Sequence, residues 1–354
     1  MTTTETTTEP TTKVRIFSGI QPTGQPHIGN YSGGFRQYKA TQDSGGDPFF
    51  CIVDLHAITV PHDPAELKDG TLDMTAMLFA TGLDPGVSTI FVQSHVAAHA
   101  EAAWLLSAVT SYGQLGRMTQ FKEKRAEQEF VSAGLFTYPI LMAGDILLYQ
   151  THVVPIGDDQ RQHLELARDI AERFNTRFGE TFVVPEGVFP ELGGRVMDLQ
   201  EATAKMSKSR GSQGTVLMLD PPETIRKKFK TAVTDSGREI RYQPDEKPGI
   251  ANLIEILAVA TGDTIEEIER RFDGEGYGTF KEAVGDAVVE LLAPIRERYE
   301  TLRADERELQ RLLAVGAEKA RRAAEPTLET MYERMGFVRS EAGRFFGAAR
   351  PRKL

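Results

Sequence analysis

The chain has 354 residues, 40% apolar and 26% charged, with a formal net charge of −10. That balance suits a globular protein of one large or two moderate domains and argues against a general nucleic-acid coat protein. The single cysteine, Cys51, excludes an internal disulfide and a Cys-based zinc site, and no run approaches the roughly 18 apolar residues of a membrane span.

Residues 1–12 are nearly all Thr, with Glu5, Glu9 and Pro10. They lack the basic start and apolar core of a secretory signal, so a disordered leader and a cytoplasmic protein are expected. Short apolar, β-branched runs at Val14–Phe17, Phe49–Val53, Thr89–Gln93 and His152–Ile156 predict strands. The first three begin about 35 residues apart with helix-like segments between them, the rhythm of βαβ units in a parallel sheet. After roughly residue 220 the period changes. Leu253, Ile254, Ile256 and Leu257 recur at helical spacing, as do Val284, Val288, Leu291, Leu292 and Ile295, then Leu309, Leu312 and Leu313. Turn signals at Lys247-Pro248-Gly249 and Asp273-Gly274 separate these helices, and no internal repeat is visible. The expected fold is α/β, a parallel-sheet catalytic half followed by an all-helical half.

Basic clusters stand out from the acidic body at Arg226, Lys227, Lys228 and Lys230, at Lys319, Arg321 and Arg322, and in the tail 339–354. They suit docking of one defined nucleic acid; the alternative is a set of solvated helix faces.

Two segments carry chemistry. Ser18-Gly19-Ile20-Gln21-Pro22-Thr23-Gly24-Gln25-Pro26-His27-Ile28-Gly29-Asn30 runs from a strand through a Gly- and Pro-rich turn into a helix. Such a turn lets backbone approach a phosphate and aims free N–H groups at it. It is neither a Walker loop nor a dinucleotide fingerprint. The His27 imidazole and the Asn30 amide are candidate donors to a triphosphate, stabilising charge that moves during transfer. The alternative is a Gly-rich turn with a helix-packing histidine. Later in the chain, Lys205-Met206-Ser207-Lys208-Ser209 sets two lysines three apart among hydroxyls, able to wrap a polyphosphate leaving group through charge alone.

The first segment resembles the PxxGxxHIGH element, and the second the KMSKS loop, of the Rossmann-class (class I) aminoacyl-tRNA synthetases. Asn30 stands where the family has His, and Arg210 where most members have Asp. From about Lys13 to Phe337 the chain looks like the bacterial tryptophanyl branch of that family. Further matching stretches are Phe50-Cys51-Ile52-Val53-Asp54, His56-Ala57-Ile58-Thr59, Arg117-Met118-Thr119-Gln120-Phe121-Lys122 and Ala232-Val233-Thr234-Asp235-Ser236.

The resemblance implies a Rossmann-like catalytic domain at 13–210, with a dimer-interface insertion at about 97–150. A helical anticodon-recognition domain at 211–338 and a basic tail at 339–354 would follow. It also implies a two-step reaction. The tryptophan carboxylate attacks the α-phosphate of ATP, releasing pyrophosphate bound to Mg²⁺, and the adenylate then esterifies tRNA(Trp). That chemistry needs alignment and charge neutralisation rather than a protein nucleophile. Carried over residue by residue, ATP would meet Gln21, Pro22, Thr23, Gly29, Asn30, Gly157, Asp158, Asp159, the backbone near Val196, and Lys205, Met206, Ser207, Lys208 and Ser209. His27, Asn30, Lys205 and Lys208 would stabilise the reacting phosphates. Lys122 and Lys124 match lysines that approach them, or else lie on a solvated helix face. Any metal is expected to arrive with ATP, not in a protein cage.

Ile140–Tyr149 is a mostly apolar, helix-like segment with one carboxylate, Asp145, which is costly to bury unless something donates to it. An indole N–H is donor-only, and the family uses an Asp here to accept it. The alternative is an N-cap following Gly144. Phe17, Met142, Val154 and Ile156 would supply apolar walls beside Ser18. Tyr138 and Gln160 are candidates for the substrate ammonium, and His56 for the pocket rim. Rival readings are a tyrosyl synthetase, which needs a donor–acceptor pair for a phenol; a nucleotidyltransferase, which rarely carries so long a helical half; and a non-catalytic relative. A homodimer and no membrane association are expected.

Overall fold

A computed structural model of the chain describes residues 13–126, 130–157, 160–188, 196–207 and 213–339. The catalytic half runs β1 (Arg15–Ile20), α1 (Ile28–Asn30), a π-type turn, α2 (Arg36–Asp43), β2 (Asp47–Ile52), α3 (Asp54–Ala57), α4 (Pro64–Ala80) and β3 (Thr89–Val92). It continues through α5 (Ala98–Ser107), α6 (Tyr112–Arg117), α7 (Thr119–Ala126), α8 (Ala133–Leu147), β4 (Val153–Pro155), α9 (Arg161–Phe178) and β5 (Glu186–Val188). Helices α10 (Pro222–Lys230), α11 (Pro248–Thr261), α12 (Ile265–Arg271), α13 (Tyr277–Arg303) and α14 (Glu306–Arg334) follow.

The sheet is parallel throughout, in the order β3-β2-β1-β4-β5. Successive strands move outward from β1 to β3, and β4 then returns to the other side of β1. This reversal opens a crevice beyond the carboxyl ends of β1 and β4, the usual ligand position in such sheets.

Pleating explains why both faces are covered. On β2, Phe50 and Ile52 join one apolar cluster while Phe49 and Cys51 join the other; on β3, Ile90 and Val92 divide from Phe91 in the same way. The first cluster continues into the helical half through Phe229, Ile250, Phe280 and Val288, and the second takes Ala320, Ala324, Leu328 and Met331 from α14. Both long helices keep an internal proline, Pro294 in α13 and Pro326 in α14. Helix α14 packs closely on β3: a Cβ on Gly316 would lie 1.7 Å from the Ile90 carbonyl oxygen, so only glycine fits.

The predicted strands and the helical second half are present, and β5 is an additional strand. Several basic-cluster residues are tied to protein partners. Lys228 donates to Asp220 at 2.6 Å and to the Thr215 carbonyl at 2.7 Å. Lys319 donates to the Pro85 carbonyl, and Arg321 and Arg322 pair with Glu318. Among the described residues no helix is long and apolar enough to cross a membrane.

Candidate active site

The crevice holds a cavity of about 450 Å³, ordinary for a small-molecule site. Its wall combines Phe17, Ser18 and Gly19 from β1, Val154 and Pro155 from β4, and Ile156, Gly157 and Gln160 just after β4. Gln21, His56, Tyr138, Met142 and Asp145 complete the set expected from sequence. Tyr38, Val53, Thr59, Gln120 and Ile146 also line it and, like Gly19 and Pro155, were not anticipated as site residues.

Asp145 is 1% exposed and lies in the last turn of α8, inside the helix, so it is not an N-cap. Its carboxylate is heavily solvated by protein. His56 Nε2 lies 2.8 Å from Oδ2, Gln93 Nε2 donates to Oδ1 at 2.7 Å, and His99 Nδ1 lies 2.5 Å from Oδ1. Burial alone would raise the Asp145 carboxyl; the His99 and His56 imidazoles, through charge and hydrogen bonds, reverse this and hold it well below the usual carboxylate range. Three elements deliver these donors: α3 carries His56, the turn after β3 carries Gln93, and α5 carries His99. Gln93 and His99 were missed at the level of sequence. Gln93 is the polar residue ending an apolar run at a strand's carboxyl end, which is the signal that could have found it.

The cavity's other end is also polar. The Tyr138 hydroxyl lies 2.6 Å from His163 Nε2, and burial pushes its pKa up to about 12, so it stays protonated at neutral pH. Ser18 donates to the Tyr38 hydroxyl at 2.9 Å, and Phe17 stacks on Tyr149.

The two phosphate segments come together in one backbone unit. His27 caps α1: its Nδ1 accepts from the Gly29 N–H, while Asn30 Oδ1 accepts from the His27 N–H. The imidazole hydrogen therefore sits on Nε2, and the donor nitrogen of Asn30 is not used by the cap. Gly29 is required here, since a Cβ would lie 2.9 Å from the His27 ring. The Ile28 N–H donates to the Val216 carbonyl and the Met218 N–H to the Pro26 carbonyl, laying residues 216–218 against the turn. From that strip, Thr215 donates to the Ser207 carbonyl at 2.9 Å, and Met206 in turn donates its N–H to the Val196 carbonyl. Lys205 is exposed at the end of this hairpin, opposite Met197.

Met206 and Val196 are buried in the core, which leaves only their backbone for a ligand. Pro22 is buried, Thr23 exposed, and Lys122 exposed on α7; none of these lines the cavity, nor do His27, Asn30 or Lys205. Asp158, Asp159, Lys208 and Ser209 lie outside the described residues, as do Arg210 and the side chain of Lys124. Among the described residues no group of three or more His, Cys, Asp or Glu is arranged to hold a metal.

The family model "tRNA synthetases class I (W and Y)" matches residues 8–293. The chain belongs to that family. It is 53% identical to the tryptophan--tRNA ligase of Caldanaerobacter subterraneus subsp. tengcongensis over 92% of this chain and 98% of that protein. The Listeria monocytogenes serovar 1/2a tryptophan--tRNA ligase gives the same figures. Among solved structures, the tryptophanyl-tRNA synthetase of Mycoplasma pneumoniae superposes with a TM-score of 0.85 at 36% identity, covering 92% of this chain and 98% of that one. The Campylobacter jejuni enzyme complexed with ADP and tryptophane gives 0.79 at 36% identity, covering 92% and 100%.

Proposed function

We propose that this chain is a tryptophan--tRNA ligase: it activates L-tryptophan with ATP to the adenylate and transfers it to tRNA(Trp). The observation that carries this reading is the ionised, buried Asp145 in the wall of the crevice cavity. A carboxylate accepts and cannot donate, which matches an indole N–H. A phenol needs both functions, so tyrosine is the poorer fit.

In the reaction, the indole enters between Phe17, Met142, Val154 and Ile156, and its N–H donates to Asp145. Tyr138 and Gln160 receive the ammonium, bringing the substrate carboxylate toward the α-phosphate. The adenosine and phosphates of ATP lie along Gln21, Pro22, Thr23, Gly29, Asn30 and Gly157, with Asp158 and Asp159 beyond. His27 Nε2, Asn30, Lys205 and Lys208 stabilise the charge that passes to the leaving pyrophosphate, while Met206, Ser207 and Ser209 frame that loop. Mg²⁺ would arrive with the triphosphate and neutralise part of its charge, and Lys122 and Lys124 can approach the phosphates. No protein nucleophile is required.

Trp104, Tyr112 and Phe130 are exposed at 78%, 80% and 76%. All three lie within 97–150, which supports a homodimer through that segment. Helices α11 to α14 and the basic tail serve as the anticodon-binding part, and the protein acts in the cytoplasm. ATP–pyrophosphate exchange run with tryptophan, tyrosine and phenylalanine, followed by charging of tRNA(Trp), tests the proposal. Exchange that depends on tyrosine, or on no amino acid, would refute it.

A further inference from the structure

The two oxygens of Asp145 are not equivalent. Oδ1 receives Gln93 Nε2 and His99 Nδ1, which fills both of its acceptor directions. Among the described residues, Oδ2 receives His56 Nε2 alone. His56 lines the cavity, whereas Gln93, His99 and Tyr149 do not. The carboxylate is therefore gripped from behind by one oxygen and presents the other.

His99 is fully buried, and its second nitrogen, Nε2, lies 2.8 Å from the Tyr149 hydroxyl. Tyr149 is itself buried, wedged among Phe17, Phe49 and Phe91. Burial pushes its hydroxyl pKa well up, so it keeps its proton. The ionised Asp145 can only accept, so His99 Nδ1 carries a hydrogen toward it, and Nε2 makes the ring's second contact, with the Tyr149 hydroxyl. Tyr149, His99 and Asp145 Oδ1 thus form one buried hydrogen-bonded chain.

We propose that His99, though out of reach of the substrate, is a specificity-positioning residue. It holds Asp145 by Oδ1 so that Oδ2 keeps one acceptor direction open to a bicyclic aromatic amino acid with a ring N–H, and Tyr149 anchors the far side of the His99 ring. This rests on the reading that Asp145 accepts the indole N–H. Its consequence is that discrimination against an isostere lacking the N–H depends on residues the ligand never touches, because only a held acceptor makes the missing donor costly.

The test uses L-tryptophan and β-(3-benzothienyl)-L-alanine, in which sulfur replaces the N–H, each in ATP–pyrophosphate exchange with the full-length protein. The readout is the ratio of the two kcat/KM values. His99→Leu is expected to lower that ratio about tenfold or more, through the KM for tryptophan, with the KM for ATP within about twofold of wild type. His99→Asn puts an amide N–H where Nδ1 lies and is expected to keep most of the ratio. Tyr149→Phe releases the far side of the ring and is expected to lower the ratio about threefold. A folded His99→Leu with the wild-type ratio, or His99→Asn as damaged as His99→Leu, overturns the inference. If His99→Leu does not fold, an unchanged ratio in Tyr149→Phe overturns it. A wild-type protein that does not prefer tryptophan over the sulfur analogue defeats the Asp145 reading itself, whereas a preference that survives in the variants defeats only the role of His99.

Discussion

The side-chain amide of Asn252, on α11, behaves as a piece of backbone toward Met197: its Oδ1 accepts from the Met197 N–H at 2.8 Å and its Nδ2 donates to the Met197 carbonyl at 3.0 Å. Asn252 is 4% exposed and Met197 half-buried, so both bonds are partly shielded from water. Met197 pairs across the hairpin with Lys205. A helix of the C-terminal half thereby holds the base of the hairpin that carries Lys205, proposed above to bind phosphate.

Asn252→Ala leaves a buried N–H and carbonyl unsatisfied, at a cost of roughly 1–3 kcal/mol each in the worst case. We expect the exchange rate constant to fall while tryptophan binding, measured by equilibrium dialysis, changes less than about twofold. Equal losses in both quantities would show that the contact supports the whole fold and not the loop.

Lys205→Ala and Lys208→Ala should slow adenylate formation by about tenfold or more with little change in tryptophan affinity, since an interaction made only as charge moves to the leaving group appears in kcat. Single-turnover kinetics beside a binding isotherm separates the two. A loss confined to tryptophan binding would contradict this role.

Gly316→Ala tests the seam between α14 and the sheet. Because the obstructing atom is backbone, relief requires moving a helix or a strand, and a loss of about 1–3 kcal/mol or more is expected. Urea unfolding measures it, and an unchanged midpoint would mean that α14 does not pack as described.

The Asp145 carboxyl has its folded-state pKa depressed, so its contribution to stability is present above the unfolded value, near 3.9, and is lost as pH falls through the folded value. The stability advantage of the wild type over Asp145→Asn should therefore persist from pH 7 to about pH 5 and shrink only below about pH 4. Urea midpoints across that range measure it; an advantage already gone at pH 5 would contradict an ionised, gripped Asp145.

Much of this was legible in the sequence because it rests on period and punctuation. The runs at Phe49–Val53 and Thr89–Gln93 carry apolar residues for both sheet faces, and the period of 3.6 through Val284, Val288 and Leu292 is unambiguous. Strand β5 was not legible, since Glu186–Val188 is three residues long with a glycine at its centre. The donors to Asp145 were hidden for another reason. Gln93 and His99 stand 52 and 46 residues away along the chain, and a lone polar residue on an apolar element carries no mark of its partner. His27 and Asn30 were read as phosphate donors, with a helix-packing histidine as the alternative; the structure shows that one atom of each is spent in holding the turn.

The most direct measurement is competition exchange with tryptophan, tyrosine and phenylalanine on the wild type and Asp145→Ala. If Asp145 accepts the indole N–H, the variant loses its preference for tryptophan while its KM for ATP stays within about twofold. A variant that still selects tryptophan as the wild type does would contradict it.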